Sequence, residues 1–304
     1  MTQTLTILNA ALDMAFGPGQ VVADRVLQRS PQALVGAGLS AGQPVIVKQF
    51  LGPDAAQAAA RLAEAHGAVA PHMASGPFRL APLLHVAPDL GLAVLGQAPG
   101  QRMDAVLGRA GPAERGAVLH LAGGWLAAFA APRLHRGRSN LHAVIRRRKE
   151  HQPPALPEPD RALTGRVLAA LRDLARALAE RPLALSGVHG DLTPYNLHIA
   201  TAGDGLAIWG FDLQPPRLRP VAQDAAQFLV VAGLRLPPEP GPLRDGLPAS
   251  DADQFLAACP GLEPPAVRFF IADRLLRALH DAMPGSARAL AARQALAHWL
   301  EDAA

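Results

Sequence analysis

The pattern of apolar residues changes near residue 100, and this change constrains the possible folds more than any other feature of the sequence. Before it, short apolar runs such as 44–50 (PVIVKQF) are separated by turn residues, which is typical of strands. After it, apolar residues recur every three or four positions, as in 161–180, which predicts amphipathic helices. The low aromatic content, 4%, and the abundance of alanine and leucine also favour helices.

We therefore predict an α+β chain with two lobes. Residues 1–97 would form a small β-rich N-terminal lobe with one helix over 53–69, and residues 98–304 a larger helical lobe. A hinge is expected near residues 96–100, where Pro99 and Gly100 interrupt the pattern.

Composition excludes several classes of protein. The single cysteine, Cys259, excludes an internal disulfide and a cysteine-based zinc site. No apolar run approaches the ~20 residues that cross a bilayer, and the N-terminus lacks a signal-peptide pattern, so we expect no membrane span and a cytoplasmic location. The chain has a formal net charge of +4, but its most basic run, 145–151, has no interleaved aromatic residues. That run is typical of a solvated face, and we expect no nucleic-acid partner.

The segment 186–197, SGVHGDLTPYNL, combines polar and apolar residues in a way that suits neither an ordinary loop nor a buried strand. Asn196 follows Asp191 by five positions, so a loop leading into a strand would let both side chains face one cleft. Asp212 ends another apolar run, where a carboxylate is costly unless it binds a cation or hydrogen-bond donors. Asp224 lies in an otherwise apolar helix, and we expect it to accept backbone N–H bonds from the segment 186–197.

Lys48 ends the apolar strand PVIVKQF and is one of only two lysines in the chain. On such a strand it must extend to solvent or find an anion. Glu64 is the only carboxylate between Asp54 and Asp89, so it is the one candidate on the first predicted helix for an acidic partner. The alternatives are a solvent-facing edge-strand lysine and an ordinary solvated glutamate.

The sequence VHGDLTPYNLHI resembles the catalytic loop of the aminoglycoside phosphotransferase and choline kinase-like family, a branch of the protein-kinase-like fold. In that family an Asn follows the Asp of His-Gly-Asp by five positions. GFDLQ resembles the family's metal-binding segment, and QDAAQFL resembles its following helix. The resemblance covers about residues 20–235 and implies transfer of the γ-phosphate of ATP, with Mg²⁺, to a hydroxyl of a small molecule.

The resemblance also implies residue roles. Asp191 would be the catalytic base, and His189 a structural member of its loop, supported by Asp224. The implied metal ligands and nucleotide-binding residues are Asn196 and Asp212 for Mg²⁺, and Lys48, its partner Glu64 and the hinge residue Gln97 for ATP.

Two departures from the family pattern leave alternatives open. The expected phosphate-covering loop has only Gly36 and Gly38 and no GxGxxG motif, which leaves an inactive pseudokinase acting as a binding protein as the alternative function. The family often has its metal-binding Asp two positions earlier than Asp212, where this chain has Gly210. Neither the acceptor, the choice between ATP and GTP, nor the oligomeric state follows from the sequence.

Overall fold

The computed structural model describes residues 2–203, 205–214, 217–237 and 240–302. The chain forms two compact units, one made of residues 1–100 and 200–216 and the other of residues 101–199 and 217–304. The return of 200–216 to the first unit was not predicted from the sequence. The sequence also predicts a hairpin turn at Gly-Asp-Gly between two apolar runs, but the central residue of this turn, Asp204, lies outside the described residues.

The described helices, in chain order, are α1 (Thr2–Phe16), α2 (Ala55–Val69), α3 (Met103–Leu107), α4 (Pro112–Ala130), α5 (Leu141–Glu150), α6 (Glu158–Leu178), α7 (Ala222–Arg235), α8 (Ala249–Ala257), α9 (Pro264–His280) and α10 (Ala287–Glu301). Short 3₁₀ turns occupy Ala70–His72, Pro88–Leu90, Ala131–Arg133 and Pro194–Asn196.

The described strands, in chain order, are β1 (Val21–Arg29), β2 (Ala33–Ser40), β3 (Gln43–Phe50), β4 (Phe78–Leu80), β5 (Leu83–Ala87), β6 (Leu92–Gly96), β7 (Gln101–Arg102), β8 (His135–Gly137), β9 (Leu183–Gly187), β10 (Leu197–Ala202), β11 (Gly205–Gly210), β12 (Leu218–Pro220), β13 (Leu243–Arg244) and β14 (Leu247–Pro248). The β-rich N-terminal region and the helical C-terminal region confirm the predicted α+β class.

The first unit is built on a five-stranded antiparallel sheet with strand order β1-β2-β3-β6-β5. Alternate residues of β3, Val45 and Val47, are fully buried in its core, as expected for a strand with one face against a core. Lys48, the next residue along β3, therefore lies on the opposite face of the sheet, and it is half-buried. In the same unit β11 pairs in parallel with β4.

Helix α1 was not predicted from the sequence, although its pattern is readable. Leu5, Leu8 and Leu12 are three and four positions apart, and Leu8 and Leu12 are fully buried against the sheet. The side chain of Asn9 both donates to and accepts from the backbone of Ala23 on β1, at 2.9 and 2.8 Å. These two bonds fix the helix against the edge of the sheet.

The second unit packs its helices around a buried aromatic and aliphatic core. Trp125 and Phe129 of α4 stack with ring centroids 5.1 Å apart, and Phe228 of α7 stacks on Phe255 of α8 at 4.7 Å. A three-stranded antiparallel sheet, β12-β9-β8, leads the chain into the segment after Gly187.

The sequence over 135–160 is basic and predicts a loop, but helix α5 forms inside it. Asn140 caps its start by accepting the N–H of Ala143 at 3.0 Å. Arg148 of the basic run is largely buried and pairs with Asp273 of α9 at 2.9 Å, so the run is only partly a solvated face. Among the described residues, no helix combines the length and apolar character needed to cross a membrane.

Candidate functional site

The segment after β9 is fixed by a buried acid. The carboxylate of Asp224, at the start of α7, accepts the backbone N–H groups of His189 and Gly190 at 2.6 and 3.1 Å. His189 is fully buried, with its ring 5.8 Å from Trp125 and 5.9 Å from Phe129. Gly190 has φ +86°, a conformation that glycine adopts without steric cost. The backbone that precedes Asp191 is therefore fixed by its hydrogen bonds to Asp224 and by the packing of the His189 ring.

Burial dominates the electrostatics of Asp224. Its side chain is almost completely inaccessible, and desolvation raises its pKa to about 6, opposed by the two N–H bonds and by the charge of Arg274. At neutral pH the ionised carboxylate can accept both N–H bonds. The two N–H bonds are the contacts expected of Asp224 from the sequence, and its role in supporting the loop stays a prediction.

Asp191 and Asn196 lie together at the end of this segment. Asn196 Nδ2 donates to the backbone oxygen of Asp191 at 2.8 Å and is 3.3 Å from its Oδ2. Because Nδ2 is used in this way, Oδ1 is the Asn196 atom that can ligate a cation. Gln227 Nε2 lies 3.5 Å from Asp191 Oδ1, at the limit of a hydrogen bond.

Lys48 and Asp212 form an ion pair within the first unit. Lys48 Nζ lies 2.6 Å from Asp212 Oδ1, and the two side chains are 17% and 39% exposed. Lys48 Nζ also lies 5.1 Å from the centre of the Phe50 ring, a cation–π contact. Since both charges are partly open to solvent, the pair can exchange its contact for one with a phosphate or a metal ion.

The backbone at Asp212 is unusual, with φ +62°, in the left-handed region that residues other than glycine rarely occupy. Gly210, two residues earlier, ends β11, and its carbonyl accepts the N–H of Ala81 at 2.9 Å. Gly210 has no side chain to offer a metal, whereas Asp212 carries the carboxylate beside Lys48. Strained conformations of this kind cluster at functional sites, which favours Asp212 as the metal-binding position.

The predicted pairing of Lys48 with Glu64 does not occur, because Lys48 contacts Asp212. Glu64 is exposed, and it takes part in none of the ion pairs found among the described residues. Helix geometry explains this, because α2 buries Leu62 and His66, and a residue midway between them lies on the opposite side. The sequence argument chose Glu64 as the only available carboxylate and did not test its position on the helix.

Gln97 follows β6 directly, and the structure shows its backbone engaged within the sheet region. Its N–H donates to the carbonyl of Pro44 at 3.0 Å, and the residue is exposed. A role for Gln97 in nucleotide binding stays a prediction.

The residues present fit a magnesium ion only if other ligands complete its shell. Among the described residues no group of three or more His, Cys, Asp or Glu side chains is placed to hold a metal. The carboxylate of Asp212 and the amide oxygen of Asn196 are hard oxygen donors of the kind that Mg²⁺ takes together with phosphate oxygens and water. Each of these oxygens, taken by itself, is a donor that suits a metal arriving with a nucleotide.

A pocket of about 190 Å³ adjoins Asp191 and is lined by one face each of α7 and α9. On α7 the lining begins at Gln227 and continues at Val230, Val231 and Leu234, and on α9 it includes Arg274, Arg277 and Ala278. Both sets follow the three- and four-residue spacing of a helix face. Sequence reasoning missed this pocket, although that spacing is readable in both helices.

Sequence comparison matches the chain to no family model and to no curated protein. Comparison of structures finds the same fold in an amicoumacin kinase complexed with AMP-PNP, Ca²⁺ and Ami, at 15% identity and a TM-score of 0.63, over 99% of this chain and 94% of that one. The aminoglycoside phosphotransferase APH(4)-Ia, as a ternary complex with ADP and hygromycin B, matches at 13% identity and a TM-score of 0.65, over 98% and 99%.

A choline/ethanolamine kinase family protein from Mesorhizobium loti is also similar, at 18% identity and a TM-score of 0.58, over 99% of this chain and 94% of that one. All three alignments span nearly the whole of both chains, so the likeness extends well beyond the catalytic-loop motif. The predicted protein-kinase-like fold is therefore confirmed: the chain has the fold shared by the aminoglycoside phosphotransferases and the choline kinase family.

Proposed function

We propose that the protein is an ATP-dependent phosphotransferase that moves the γ-phosphate to a hydroxyl group of a small molecule. The observation that carries this proposal is the geometry of the segment 188–196. It holds the carboxylate of Asp191 beside a pocket and pairs it with Asn196, on a backbone fixed by the buried Asp224.

In this reaction the acceptor oxygen bonds to the γ-phosphorus, and the bond from that phosphorus to the bridging oxygen breaks, so that ADP leaves with the electron pair. Asp191 orients the acceptor hydroxyl and takes its proton. General-base contributions of this kind are worth on the order of 10²–10⁴ in rate. Gln227, which approaches Asp191 Oδ1, would help to keep the carboxylate in position.

Lys48, Asp212 and Asn196 would hold the nucleotide and its metal ion. Lys48 would contact the phosphates, and Asp212 and Asn196 would each supply one oxygen ligand. A bound Mg²⁺ would neutralise charge that builds up on the phosphate oxygens. Support comes from two of the structurally similar proteins, whose complexes contain AMP-PNP with Ca²⁺ in one and ADP in the other.

The test is ADP formation by the purified protein with Mg·ATP and a panel of small alcohols. Wild-type protein is expected to form ADP with at least one acceptor, and Asp191→Asn to lose this activity while retaining nucleotide binding. Nucleotide binding is measured separately by calorimetry. ADP formation that is equal in both proteins would overturn the proposal.

Two observations favour the alternative, a pseudokinase that binds a nucleotide or partner without turnover. Glu64 is exposed, so the predicted partner does not hold Lys48, and the phosphate-covering glycine motif is absent. A thermal shift with Mg·ATP but no ADP formed with any acceptor would favour this function. The cytoplasmic location and the absence of a nucleic-acid partner stay predictions.

A further inference from the structure

The pocket beside Asp191 is rich in positive charge. Four arginines line it, Arg235 of α7, Arg274 and Arg277 of α9, and Arg288 of α10, against two carboxylates, Asp191 and Asp281. Small-molecule pockets are usually apolar with few charged groups, so four guanidinium groups in one pocket call for an explanation.

Only one of these arginines has a carboxylate partner among the described residues. Arg277 Nε lies 3.3 Å from Asp281 Oδ2, and both side chains are about half exposed. Arg235 contacts the ring of Tyr195, with its guanidinium carbon 5.8 Å from the ring centre. Arg235, Arg274 and Arg288 take part in none of the ion pairs found in the described part of the chain.

Arg274 is the informative member. It is only 8% exposed, and its Nε is buried with no hydrogen-bond partner among the described residues. The charges of Asp273 and Asp224 favour the ionised form of Arg274, but both carboxylates have other hydrogen-bond partners, because Asp273 binds Arg148 and Asp224 accepts the loop N–H groups. Desolvation outweighs these charges and lowers the pKa of Arg274. A buried guanidinium whose Nε has no hydrogen-bond partner among the described residues is costly to the fold, which indicates that an anionic ligand supplies the missing hydrogen bond.

We infer that the acceptor is a small alcohol that carries an anionic group, a carboxylate or a phosphate ester, bound by Arg274 with its hydroxyl at Asp191. This inference rests on the proposed phosphotransfer and names its substrate class. The planar guanidinium group of arginine can bind a carboxylate or a phosphate through two parallel hydrogen bonds. The inference therefore covers both kinds of anion.

Size and charge separate this acceptor from polycationic antibiotics. The pocket volume of about 190 Å³ is below the range of roughly 300–1,000 Å³ typical for drug-sized ligands. A molecule with several ammonium groups would meet Arg235, Arg274 and Arg288 at short range, where like charges repel. Apolar contacts from Val230 and Leu234 suit the carbon skeleton of a small acceptor.

The experiment uses matched acceptors that differ in charge. Glycerate and glycerol 3-phosphate are compared with neutral glycerol and cationic choline, and ADP formation gives kcat/KM for each. At least one anionic acceptor is expected to exceed glycerol by about 30-fold or more. The glycerate and glycerol 3-phosphate arms distinguish a carboxylate from a phosphate ester. Equal or better use of glycerol or choline would overturn the inference while leaving phosphotransfer intact.

Variants connect the preference to the pocket. Arg274→Gln should raise KM for the anionic acceptor by about 30-fold or more with a smaller change in kcat, and Arg288→Gln should raise it several-fold. Arg172→Gln, which removes an exposed arginine of α6 outside the pocket, is the matched control and should change neither value. If Arg274→Gln fails to fold, the KM values of Arg288→Gln and Arg235→Gln for the anionic acceptor test the inference instead. Unchanged KM values in the folded variants would overturn the inference.

Binding of inorganic phosphate, measured by calorimetry without nucleotide, separates the two proposals. Phosphate should bind wild-type protein and Lys48→Ala but bind Arg274→Gln at least 10-fold more weakly. Loss of binding in Lys48→Ala instead, or no binding to wild-type protein, would overturn the anion pocket. Phosphate binding that depends on Arg274, with no ADP formed from any acceptor, would support the anion pocket and overturn phosphotransfer.

Discussion

Two carboxylates that each follow a strand, Asp191 after β9 and Asp212 after β11, are held in contrasting ways. Around Asp191 the backbone is fixed by the buried Asp224, and the packed ring of His189 precedes it. Asp212 has a left-handed backbone and one described ion pair, with Lys48, and its side chain is 39% exposed. The fold itself therefore orders the first carboxylate, while the second is held by a partly exposed ion pair.

The largest expected effect is at the ordered carboxylate. Asp191→Asn should reduce the rate of phosphoryl transfer by about 10²–10⁴-fold, because the amide cannot take the acceptor proton. The affinity for ATP should stay within a few-fold, since the carboxylate is proposed to contact the acceptor. Steady-state ADP formation and calorimetry measure the two quantities. Retention of wild-type turnover would remove Asp191 from the mechanism.

The second effect concerns the partly exposed carboxylate, Asp212. Asp212→Ala should weaken Mg²⁺-dependent nucleotide binding on the order of 10–100-fold, and Gly210→Ala should weaken it much less. The free energy of unfolding without ligand should change by only about 1 kcal/mol, because a partly exposed ion pair contributes little. Titration of Mg·ATP and urea unfolding test both parts. A larger loss of binding in Gly210→Ala would move the metal position to Gly210.

A third prediction uses the buried support of Asp191. Because the folded-state pKa of Asp224 is raised from 3.8 to about 6, the folded protein holds this proton more tightly than the unfolded chain does. Its contribution to stability is therefore present below about pH 4 and is lost as the pH rises to about 6, by roughly 1–3 kcal/mol.

Urea unfolding of wild-type protein and Asp224→Asn at pH 4, 5, 6 and 7 isolates this contribution. The stability of wild-type protein relative to the variant should fall across this range and level off above pH 6. A relative stability that rises with pH would mean that the N–H bonds from His189 and Gly190 outweigh burial.

The same contrast explains how far the sequence could be interpreted. Local patterns sufficed for the strand around 44–50 and for the helix predicted within 161–180, since periodicity reports which face is buried. The loop motif at 186–197 was recognisable because its residues act within one short segment. The expected acceptance of loop N–H groups by Asp224 is visible as a contact in the structure.

Features that depend on tertiary packing were not predictable in the same way. The partner of Lys48 lies 164 residues further along the chain, and spacing alone cannot choose between it and a nearer acid such as Glu64. The buried Arg274 resembles any other arginine of an amphipathic helix until the packing of α7 and α9 is known. Helix α1 and the capped start of α5 are different, because their signals, Leu5-Leu8-Leu12 and Asn140, were present in the sequence.

The smallest expected effect, at Glu64, tests whether Lys48 depends on α2 at all. Since Glu64 is exposed and α2 buries its opposite face, Glu64→Ala should change the free energy of unfolding by less than about 0.5 kcal/mol and leave kcat/KM unaltered. Lys48→Ala and Asp212→Ala should each lower kcat/KM, and their double variant should be less impaired than additivity requires, because the two residues act as a unit.

Two double-mutant cycles measured by ADP formation, Lys48 with Asp212 and Lys48 with Glu64, make this comparison within one assay. We expect non-additive effects in the cycle of Lys48 with Asp212 and additive effects in the cycle of Lys48 with Glu64. The reverse result would mean that Lys48 leaves Asp212 for Glu64 when the nucleotide binds, which requires α2 to turn its exposed face inward and bury a charge. Such a rotation would expose Leu62 and His66, so hydrogen exchange along α2 with and without Mg·ATP would detect it.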